Sequence, residues 1–262
     1  MINSAIIHNK LDFVGMRKAG KLAAETLDMI TEYVKPGVTT EMLDSKCFEF
    51  ASSNGAYIAP LFYKGFPKSV CTSINHVICH GIPSSRVLEE GDIVNIDVTV
   101  IVDGWHGDTS RMYPVGNINN KAQKLIDCTY EAMMLGISEI APNKKTGDIG
   151  NAIQTYSEAQ SYSVVKDFCG HGLGKVFHSF PNILHYGTPN TGEDLLQGMF
   201  FTVEPMINIG KYDVRLLKDG WTAVTKDKSL SAQFEHTVGV TESGFEIFTK
   251  SPAGLDKPSL NL

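Results

Sequence analysis

The stretches LEEGDIVNID (residues 88–97) and LLQGMFFTVE (residues 195–204) share a leucine, a glycine three positions later and a carboxylate six positions after that glycine. Three pairs of similar residues upstream of these stretches are each 106 positions apart, whereas the two stretches themselves are 107 positions apart. The pairs are Pro36 and Pro142, Thr40 and Thr146, and Leu43 and Ile149. A repeat on this scale indicates that one structural unit occurs twice. We therefore predict two related halves, approximately 13–116 and 117–248, with chance matching of common residues as the alternative.

Each predicted half begins with a pair of helices. Apolar residues recur at intervals of three and four over residues 14–35, and a Pro-Gly pair ends this amphipathic pattern. Thr39 or Thr40 then offers a hydroxyl N-cap for a second helix. The second half repeats this order, with a helix over residues 122–140 and a further helix that follows Thr146.

Strands follow the helices. Residues 94–102 alternate between apolar and polar side chains, and residues 200–209 and 232–240 are similar, with a bend or an end predicted near Pro205. Helix pairs and blocks of strands favour an α+β fold with an antiparallel sheet over a doubly wound fold. We expect the whole 262-residue chain to form one domain, with a loose tail over residues 251–262.

The composition excludes several classes of protein. With 42% hydrophobic and 20% charged residues, the chain is typical of a soluble globular protein. A net charge of -6 argues against nucleic acid or an anionic membrane as the main partner. We find no secretory signal and no apolar segment long enough for a membrane span. Five cysteines without a CxxC pair argue against disulfides and a zinc ribbon, and they favour the cytoplasm. A monomer is expected, because no long apolar run is evident.

Four carboxylates lie among apolar neighbours on or near the predicted strands, and they are Asp97, Asp108, Glu204 and Glu235. Ionised carboxylates are seldom fully buried unless they are paired or bind a cation, because their desolvation is costly. For any one of them, a solvent-facing place on a strand is the simpler interpretation. A cluster of four repels itself unless cations neutralise it, so together the four predict a site for two divalent ions.

One of the eight histidines stands out. His171 lies in GHGLG (residues 170–174), whose glycines allow a close backbone approach, whereas a phosphate loop would need another spacing and a following helix. An imidazole ligand moves the preference of an oxygen-rich site toward Mn, Fe, Co or Zn. His80 and His178 become candidates only together with the carboxylates. His236 is predicted to point away from the site. Other histidines, taken singly, are expected to be structural or solvated, and they are His8, His76, His106 and His185.

Together these motifs resemble type I methionine aminopeptidases of the short bacterial form. The resemblance is carried by PKSVCTSINHVICHGIP (67–83), GDIVNIDVTV (91–100), WHGDTSRMYPVG (105–116), GHGLG (170–174), FHSFPNILHYG (177–187), FTVEPMI (201–207) and DGWTAVTKDKSLSAQFEHTVGVT (219–241). It implies the pita-bread fold, in which two pseudo-two-fold related α+β halves surround a central antiparallel sheet. It also implies removal of the initiator methionine from nascent proteins, with small second residues favoured and possible action at the ribosome.

The resemblance assigns roles to residues at matching positions. The ligands of two divalent ions (Co, Mn, Fe or Zn) would be Asp97, Asp108, His171, Glu204 and Glu235, with Asp108 and Glu235 shared between the ions. Glu204 would be the general base, His178 would hydrogen-bond the developing oxyanion, and His80 would contact the scissile amide nitrogen. The substrate's α-amino group would bind near Asp97. The pocket for methionine would consist of Tyr63, Phe66, Cys71, Phe177 and Trp221.

Some features depart from the family pattern. Phe180 lies in a loop that often has an acidic residue, and Pro60 and Phe66 are variants in the pocket segment, so the fine substrate preference stays open. The alternatives are a proline-specific pita-bread aminopeptidase and a non-catalytic binding member of the fold. The first usually has an additional amino-terminal domain, and the second would be expected to have lost metal ligands.

Overall fold

A computed structural model of the chain describes residues 4–257. Its α-helices are α1 (Lys10–Ile30), α2 (Thr40–Ser53), α3 (Asn120–Ser138) and α4 (Thr146–Ala159), and its short 3-10 helices are Thr31–Tyr33 and Tyr63–Gly65. The strands are β1 (Tyr57–Ile58), β2 (Cys71–Ile74), β3 (Val77–Cys79), β4 (Ile93–Val102), β5 (Trp105–Pro114), β6 (Ser163–Val164), β7 (Gly170–Gly172), β8 (Ser179–Ile183), β9 (Phe200–Val203), β10 (Met206–Asn208), β11 (Val214–Leu216), β12 (Ala223–Thr225), β13 (Ser231–Gln233), β14 (His236–Val240) and β15 (Phe245–Ile247). Among the described residues, no helix combines the length and apolar character that crossing a membrane requires.

The internal repeat is visible in hydrogen bonds that lead into the second helix of each half. The Leu88 N–H donates to the Val38 carbonyl at 2.8 Å, and the Leu195 N–H donates to the Lys144 carbonyl at 2.8 Å. The acceptors are 106 residues apart (144 − 38) and the donors 107 (195 − 88), which are the two intervals found in the sequence. The structure thus places corresponding residues in corresponding backbone contacts, as two related halves require.

The helices begin where their caps lie. The Asn9 side chain accepts from the Leu11 N–H at 2.8 Å, and the Asp12 carboxylate accepts from the Asn9 N–H at 2.9 Å. This capping box starts α1 at Lys10, four residues before the predicted apolar pattern. Thr39 caps α2 by accepting from the Met42 N–H at 3.2 Å, so the first of the two predicted caps is the correct one.

Every strand pair within residues 4–257 is antiparallel, as predicted. Hydrogen bonds divide the strands into four sheets, composed of β1, β2, β4 and β5, of β6, β10 and β13, of β3, β11 and β12, and of β7, β8, β9, β14 and β15. Residues 200–209 change sheet between β9 and β10, next to Pro205 as predicted. The prediction of a single strand over residues 232–240 was wrong, because the chain also changes sheet between β13 and β14. Glu204 and Glu235 lie at these two breaks.

Two apolar clusters support the sheets from the helical sides. One contains Leu27, Leu43 and Val98, from α1, α2 and β4, and the other includes Ile149 and Phe201, from α4 and β9. Burial of these side chains is the main force that holds the helices on the sheets. The helices α1 and α2 therefore cover one half of the strands, and α3 and α4 cover the other.

The first part of the predicted loose tail is packed against the fold. The Ser251 hydroxyl donates to the Asp28 carboxylate at 2.7 Å, and Asp28 also pairs with the buried Arg111 guanidinium at 2.9 Å. Lys257 Nζ lies 3.0 Å from the Asp127 carboxylate. Residues 251–257 are therefore held by side-chain contacts, and the rest of the predicted tail, 258–262, lies outside the described residues.

Candidate active site

A cavity of about 340 Å³ contains all of the site residues that the sequence predicted. Those residues are Tyr63, Phe66, Cys71, His80, Asp97, Asp108, His171, Phe177, His178, Glu204, Trp221 and Glu235. The lining comes from both predicted halves of the chain. The fold therefore brings together residues that are separated by up to 172 positions in the sequence (235 − 63).

Strand alternation places the first two carboxylates in the cavity. In the antiparallel pair of β4 and β5, Asp97 lies opposite Ser110, and Thr99 lies opposite Asp108. Asp97 and Thr99 share one face of β4, because side chains two residues apart point the same way. The Thr99 hydroxyl donates to Asp108 Oδ1 at 2.7 Å. This hydrogen bond fixes the orientation of the Asp108 carboxylate.

The remaining carboxylates are positioned where the chain changes sheet. The Thr202 hydroxyl donates to Glu204 Oε1 at 2.7 Å and accepts from the His171 backbone N–H at 3.0 Å. The Gln233 side-chain amide donates to Glu204 Oε2 at 3.3 Å. Glu235 is 3% exposed, and its backbone N–H donates to the Ser110 carbonyl at 3.1 Å. The Glu204 carboxylate is thus held at a defined orientation, and the backbone of Glu235 is fixed against β5.

The atoms that could bind a metal ion lie close together. Asp108, His171 and Glu235 each offer one atom, and these atoms lie within 4.8 Å of one another. His171 Nε2 lies 3.6 Å from Asp108 Oδ2 and 3.7 Å from Glu204 Oε1. Asp97 lines the same cavity. These distances would allow one small cation to contact several of the side chains at once.

Burial makes the charged carboxylates unfavourable in the chain alone. It raises the pKa of Asp108 to about 7, and it raises the pKa of Asp97, Glu204 and Glu235 well above the usual range, with further increases from the neighbouring negative charges. Burial lowers the pKa of His171 to about 4, which keeps its imidazole neutral and able to ligate.

No lysine or arginine in the described part of the chain pairs with any of these four carboxylates. Buried acidic oxygens without a positive partner, joined by one neutral imidazole, fit divalent cations of the Mn, Fe, Co and Zn group.

Aromatic rings and one thiol form the other wall of the cavity. The Tyr63 ring packs on Phe177 with centroids 4.8 Å apart, and the Phe66 ring meets Trp221 edge to face at 5.2 Å. The Cys71 thiol is buried in the same wall. Such a surface favours the binding of an unbranched apolar side chain, and contacts between a thioether sulfur and aromatic rings stabilise binding further.

Two histidines face the cavity beside the carboxylates. The His178 ring lies 4.1 Å from the His171 ring, centroid to centroid, and its Nδ1 lies 3.0 Å from the Tyr63 hydroxyl. His80 packs edge to face on Phe168, with centroids 5.4 Å apart. Both imidazoles are therefore within reach of a substrate bound between the carboxylates and the aromatic wall.

The histidines that were expected to be structural lie outside the cavity lining. The His8 ring stacks on Phe200, and His106 Nδ1 lies 2.9 Å from the Gly174 carbonyl. His76 lines a separate pocket of about 260 Å³. His236 Nδ1 contacts the Thr249 hydroxyl at 2.9 Å, away from the site as predicted. His185 is fully buried, and its Nε2 accepts from the backbone N–H of Glu204 at 3.1 Å.

Sequence reasoning missed several residues that support the site. Thr99 lies two positions after Asp97 on the same face of β4, and Thr202 lies two positions before Glu204 near the end of β9, so the spacing in the sequence could have found both threonines. Gln233 lies two positions before Glu235 and could have been found in the same way, whereas His185 had no comparable signal, because its contact with Glu204 joins distant parts of the chain. Further lining residues that were not predicted are Lys64, Cys79, Thr99, Asp167, Phe168, Cys169, Met206 and Gln233.

A fold of two related α+β halves, with four carboxylates and a histidine meeting between them, defines a metallohydrolase. Residues 14–242 match the sequence model of metallopeptidase family M24, and the chain belongs to this family. It is 64% identical over 253 residues to a methionine aminopeptidase from Rickettsia prowazekii. The aligned region covers 96% of this chain and 98% of that relative.

Solved structures agree with the sequence comparison. The crystal structure of the methionine aminopeptidase from Rickettsia prowazekii superposes with a TM-score of 0.93 and covers 94% of this chain and 100% of its own. A prolidase from Pyrococcus furiosus superposes with a TM-score of 0.75 at 22% identity, over 94% of this chain and 66% of its own, and this likeness concerns the fold alone. The predicted pita-bread fold and the predicted resemblance to methionine aminopeptidases are confirmed.

Proposed function

We propose that this chain removes the N-terminal methionine from nascent proteins by metal-dependent hydrolysis of the first peptide bond. The supporting observation is a single cavity in which four carboxylates and His171 face a wall of aromatic rings and a thiol. The relative that is 64% identical is a methionine aminopeptidase, which supports the same activity. The acidic side of the cavity suits the reaction, and the apolar side suits the methionine side chain.

Two divalent ions would be held by Asp97, Asp108, His171, Glu204 and Glu235, and two of these carboxylates, Asp108 and Glu235, would be shared. When bound, such ions lower the pKa of a water and polarise a carbonyl oxygen. The buried carboxylates have no lysine or arginine partner in the described residues, so cations would relieve their mutual repulsion. The donor set of carboxylate oxygens and one imidazole suits Co, Mn, Fe or Zn.

The chain's own side chains would move the protons and position the substrate. Glu204, oriented by Thr202 and Gln233, would take a proton from the attacking water and pass it to the leaving amine. His178 would donate a hydrogen bond to the oxygen of the scissile carbonyl as negative charge develops there. His80 would contact the scissile amide nitrogen from the side of the cavity that Phe168 closes.

Specificity would come from the apolar wall. The rings of Tyr63, Phe66, Phe177 and Trp221 would surround the methionine side chain, and each sulfur–aromatic contact contributes about 0.3 to 1.5 kcal/mol. The free α-amino group of the substrate would lie near Asp97. A small second residue would be favoured, and the proline-specific alternative predicts cleavage of Ala-Pro peptides instead.

A peptide assay tests this function. The metal-depleted chain should regain cleavage of Met-Ala-Ser when Mn, Co or Fe is added, should cleave Met-Leu-Ser more slowly, and should leave Ala-Pro-Ser intact. Asp97→Ala should lower both the bound metal per chain and the rate, whereas Asp103→Asn, which changes an exposed acid, should alter neither. Cleavage of the proline peptide alone, or activity that a chelator does not affect, would contradict the proposal.

The remaining expectations stay predictions. A single catalytic domain is supported by the cavity lining, which comes from both halves. The monomeric state, the cytoplasmic location and action on nascent chains at the ribosome rest on the sequence and on the resemblance.

A further inference from the structure

A hydrogen bond connects the wall of the methionine pocket to one of the two histidines that face the substrate. The Tyr63 hydroxyl lies 3.0 Å from His178 Nδ1, although the two residues are 115 positions apart. The two rings are also stacked, with centroids 5.2 Å apart and an interplanar angle of 23°. Phe177 packs against both rings, at 4.8 Å from Tyr63 and 4.1 Å from His178. The imidazole is therefore oriented by stacking and by one polar contact.

The backbone around Tyr63 is held in an uncommon conformation. Phe62 and Lys64, on either side of it, have φ values of 65° and 47°, in the left-handed region that residues with a side chain rarely adopt. The Phe62 N–H donates to the Phe66 carbonyl at 2.8 Å and closes this loop. The loop thus presents the Tyr63 hydroxyl toward His178 at some conformational cost, which indicates that the position of the hydroxyl matters.

The direction of the hydrogen bond follows from the two groups. A neutral imidazole has one donor nitrogen and one acceptor nitrogen, and the partner of one nitrogen decides the state of the other. A phenol is a good donor and a weak acceptor, because its oxygen lone pair is delocalised into the ring. The favourable arrangement is therefore Tyr63 O–H donating to Nδ1, which leaves the proton of His178 on Nε2.

We propose that Tyr63 is a positioning residue that fixes His178 as the Nε2–H tautomer, so that His178 can donate a hydrogen bond to the oxygen of the scissile carbonyl. This inference rests on the proposed function and gives Tyr63 a role beyond contact with methionine. The other tautomer would present a lone pair on Nε2 to the same oxygen. That lone pair would repel the negative charge that develops there, and the donor would be lost.

The first test removes only the hydroxyl. Tyr63→Phe keeps the ring of the pocket wall, and Tyr57→Phe removes the same group from a ring that is 78% exposed on β1. With Met-Ala-Ser and the metal-loaded chain, Tyr63→Phe should lower kcat by about 5- to 10-fold and change KM by less than about twofold, as expected for one oriented hydrogen bond. Tyr57→Phe should match the original chain. An increase in KM at unchanged kcat would make Tyr63 a wall residue only and would overturn the proposal.

The second test asks whether Tyr63 acts through His178. In a His178→Ala background, Tyr63→Phe should cause no further loss of kcat, because the group that it orients is already absent. A loss of the same size in both backgrounds would contradict the proposal. Equal thermal midpoints for the tyrosine variants would show that their kinetic differences do not come from unfolding.

The third test determines the tautomer of His178 without any measurement of activity. Nitrogen-15 NMR of labelled histidines in the zinc-loaded chain, with His178 assigned from the spectrum of His178→Gln, should show the proton on Nε2. The Tyr63→Phe variant should show a mixture of tautomers. A proton on Nδ1 in the original chain, or an unchanged tautomer in the variant, would overturn the proposal. If the tautomer shifts as expected and Met peptides are not cleaved, the proposed function fails and the orienting contact stands.

Discussion

Replacing Asp108 by asparagine should stabilise the metal-free chain above neutral pH, although it removes a proposed metal ligand. The Asp108 side chain is 5% exposed, and its only hydrogen bond from a side chain in the described residues comes from the Thr99 hydroxyl. Asparagine has the same shape and keeps an oxygen for that donor. The substitution therefore removes the buried charge and leaves the packing in place.

The size of the effect follows from the pKa of Asp108. Burial raises it from the ordinary value of 3.8 to about 7, so the folded chain holds a proton that the unfolded chain releases. A pKa difference of one between the folded and unfolded chain corresponds to about 1.4 kcal/mol, so above pH 7 the buried charge should lower the free energy of unfolding by about 4 kcal/mol. The stability contributed by the protonated form is complete below about pH 4 and is lost as the pH rises through about 7. The advantage of the asparagine variant should therefore grow over this range and vanish in acid.

Urea unfolding in the presence of a chelator, at about pH 8 and about pH 4, measures this difference. At the higher pH the variant should gain about 4 kcal/mol, or roughly 8 °C in thermal midpoint for a chain of this size. Asp103→Asn, with a side chain that is 69% exposed, should change the stability by less than about 0.5 kcal/mol. Added Mn should then stabilise the original chain more than the variant. A variant that is less stable than the original at both pH values would refute the reasoning.

Two further substitutions probe the support of the site and the packing behind it. Thr202→Val removes the hydroxyl that contacts both Glu204 and the His171 backbone, and it should lower kcat/KM by about 10-fold. Thr202→Ser keeps a hydroxyl and should retain most of the activity. Equal kinetics for the two variants would contradict the idea that this hydroxyl orients Glu204. Gly107→Ala places a Cβ against the Ala19 carbonyl of α1 and should cost about 1 to 3 kcal/mol in urea unfolding. Gly244→Ala, whose Cβ would have its nearest neighbour at 4.0 Å, is the matched control, and equal midpoints for both alanine variants would contradict the packing argument.

The parts of the site that depend on local periodicity were predictable from the sequence. Asp97 lies on a strand whose alternation is plain, and Glu204 occupies the matching place in the repeat. The break at Glu235 could not be predicted in this way, because the alternation of residues 232–240 continues through Glu235 and the change of sheet depends on pairing with distant strands. The contact of His185 with Glu204 likewise depends on tertiary packing, to which a single sequence gives no guide.

Neutral hydrogen bonds explain how the chain segments that carry Asp108 and Glu235 can be held together although both side chains are acidic. The Thr237 hydroxyl donates to the Asp108 carbonyl at 2.6 Å, and the Thr109 hydroxyl donates to the Glu235 carbonyl at 2.6 Å. The Ser110 carbonyl accepts from the Glu235 N–H at 3.1 Å, so the backbones of β5 and of the break at Glu235 are joined on both sides. These bonds do not involve the carboxylates and do not depend on their charge. The Asp108 and Glu235 segments are therefore held by the fold, cations would relieve the charge there without having to bring the two segments together, and we expect Asp108→Asn to act through the loss of charge.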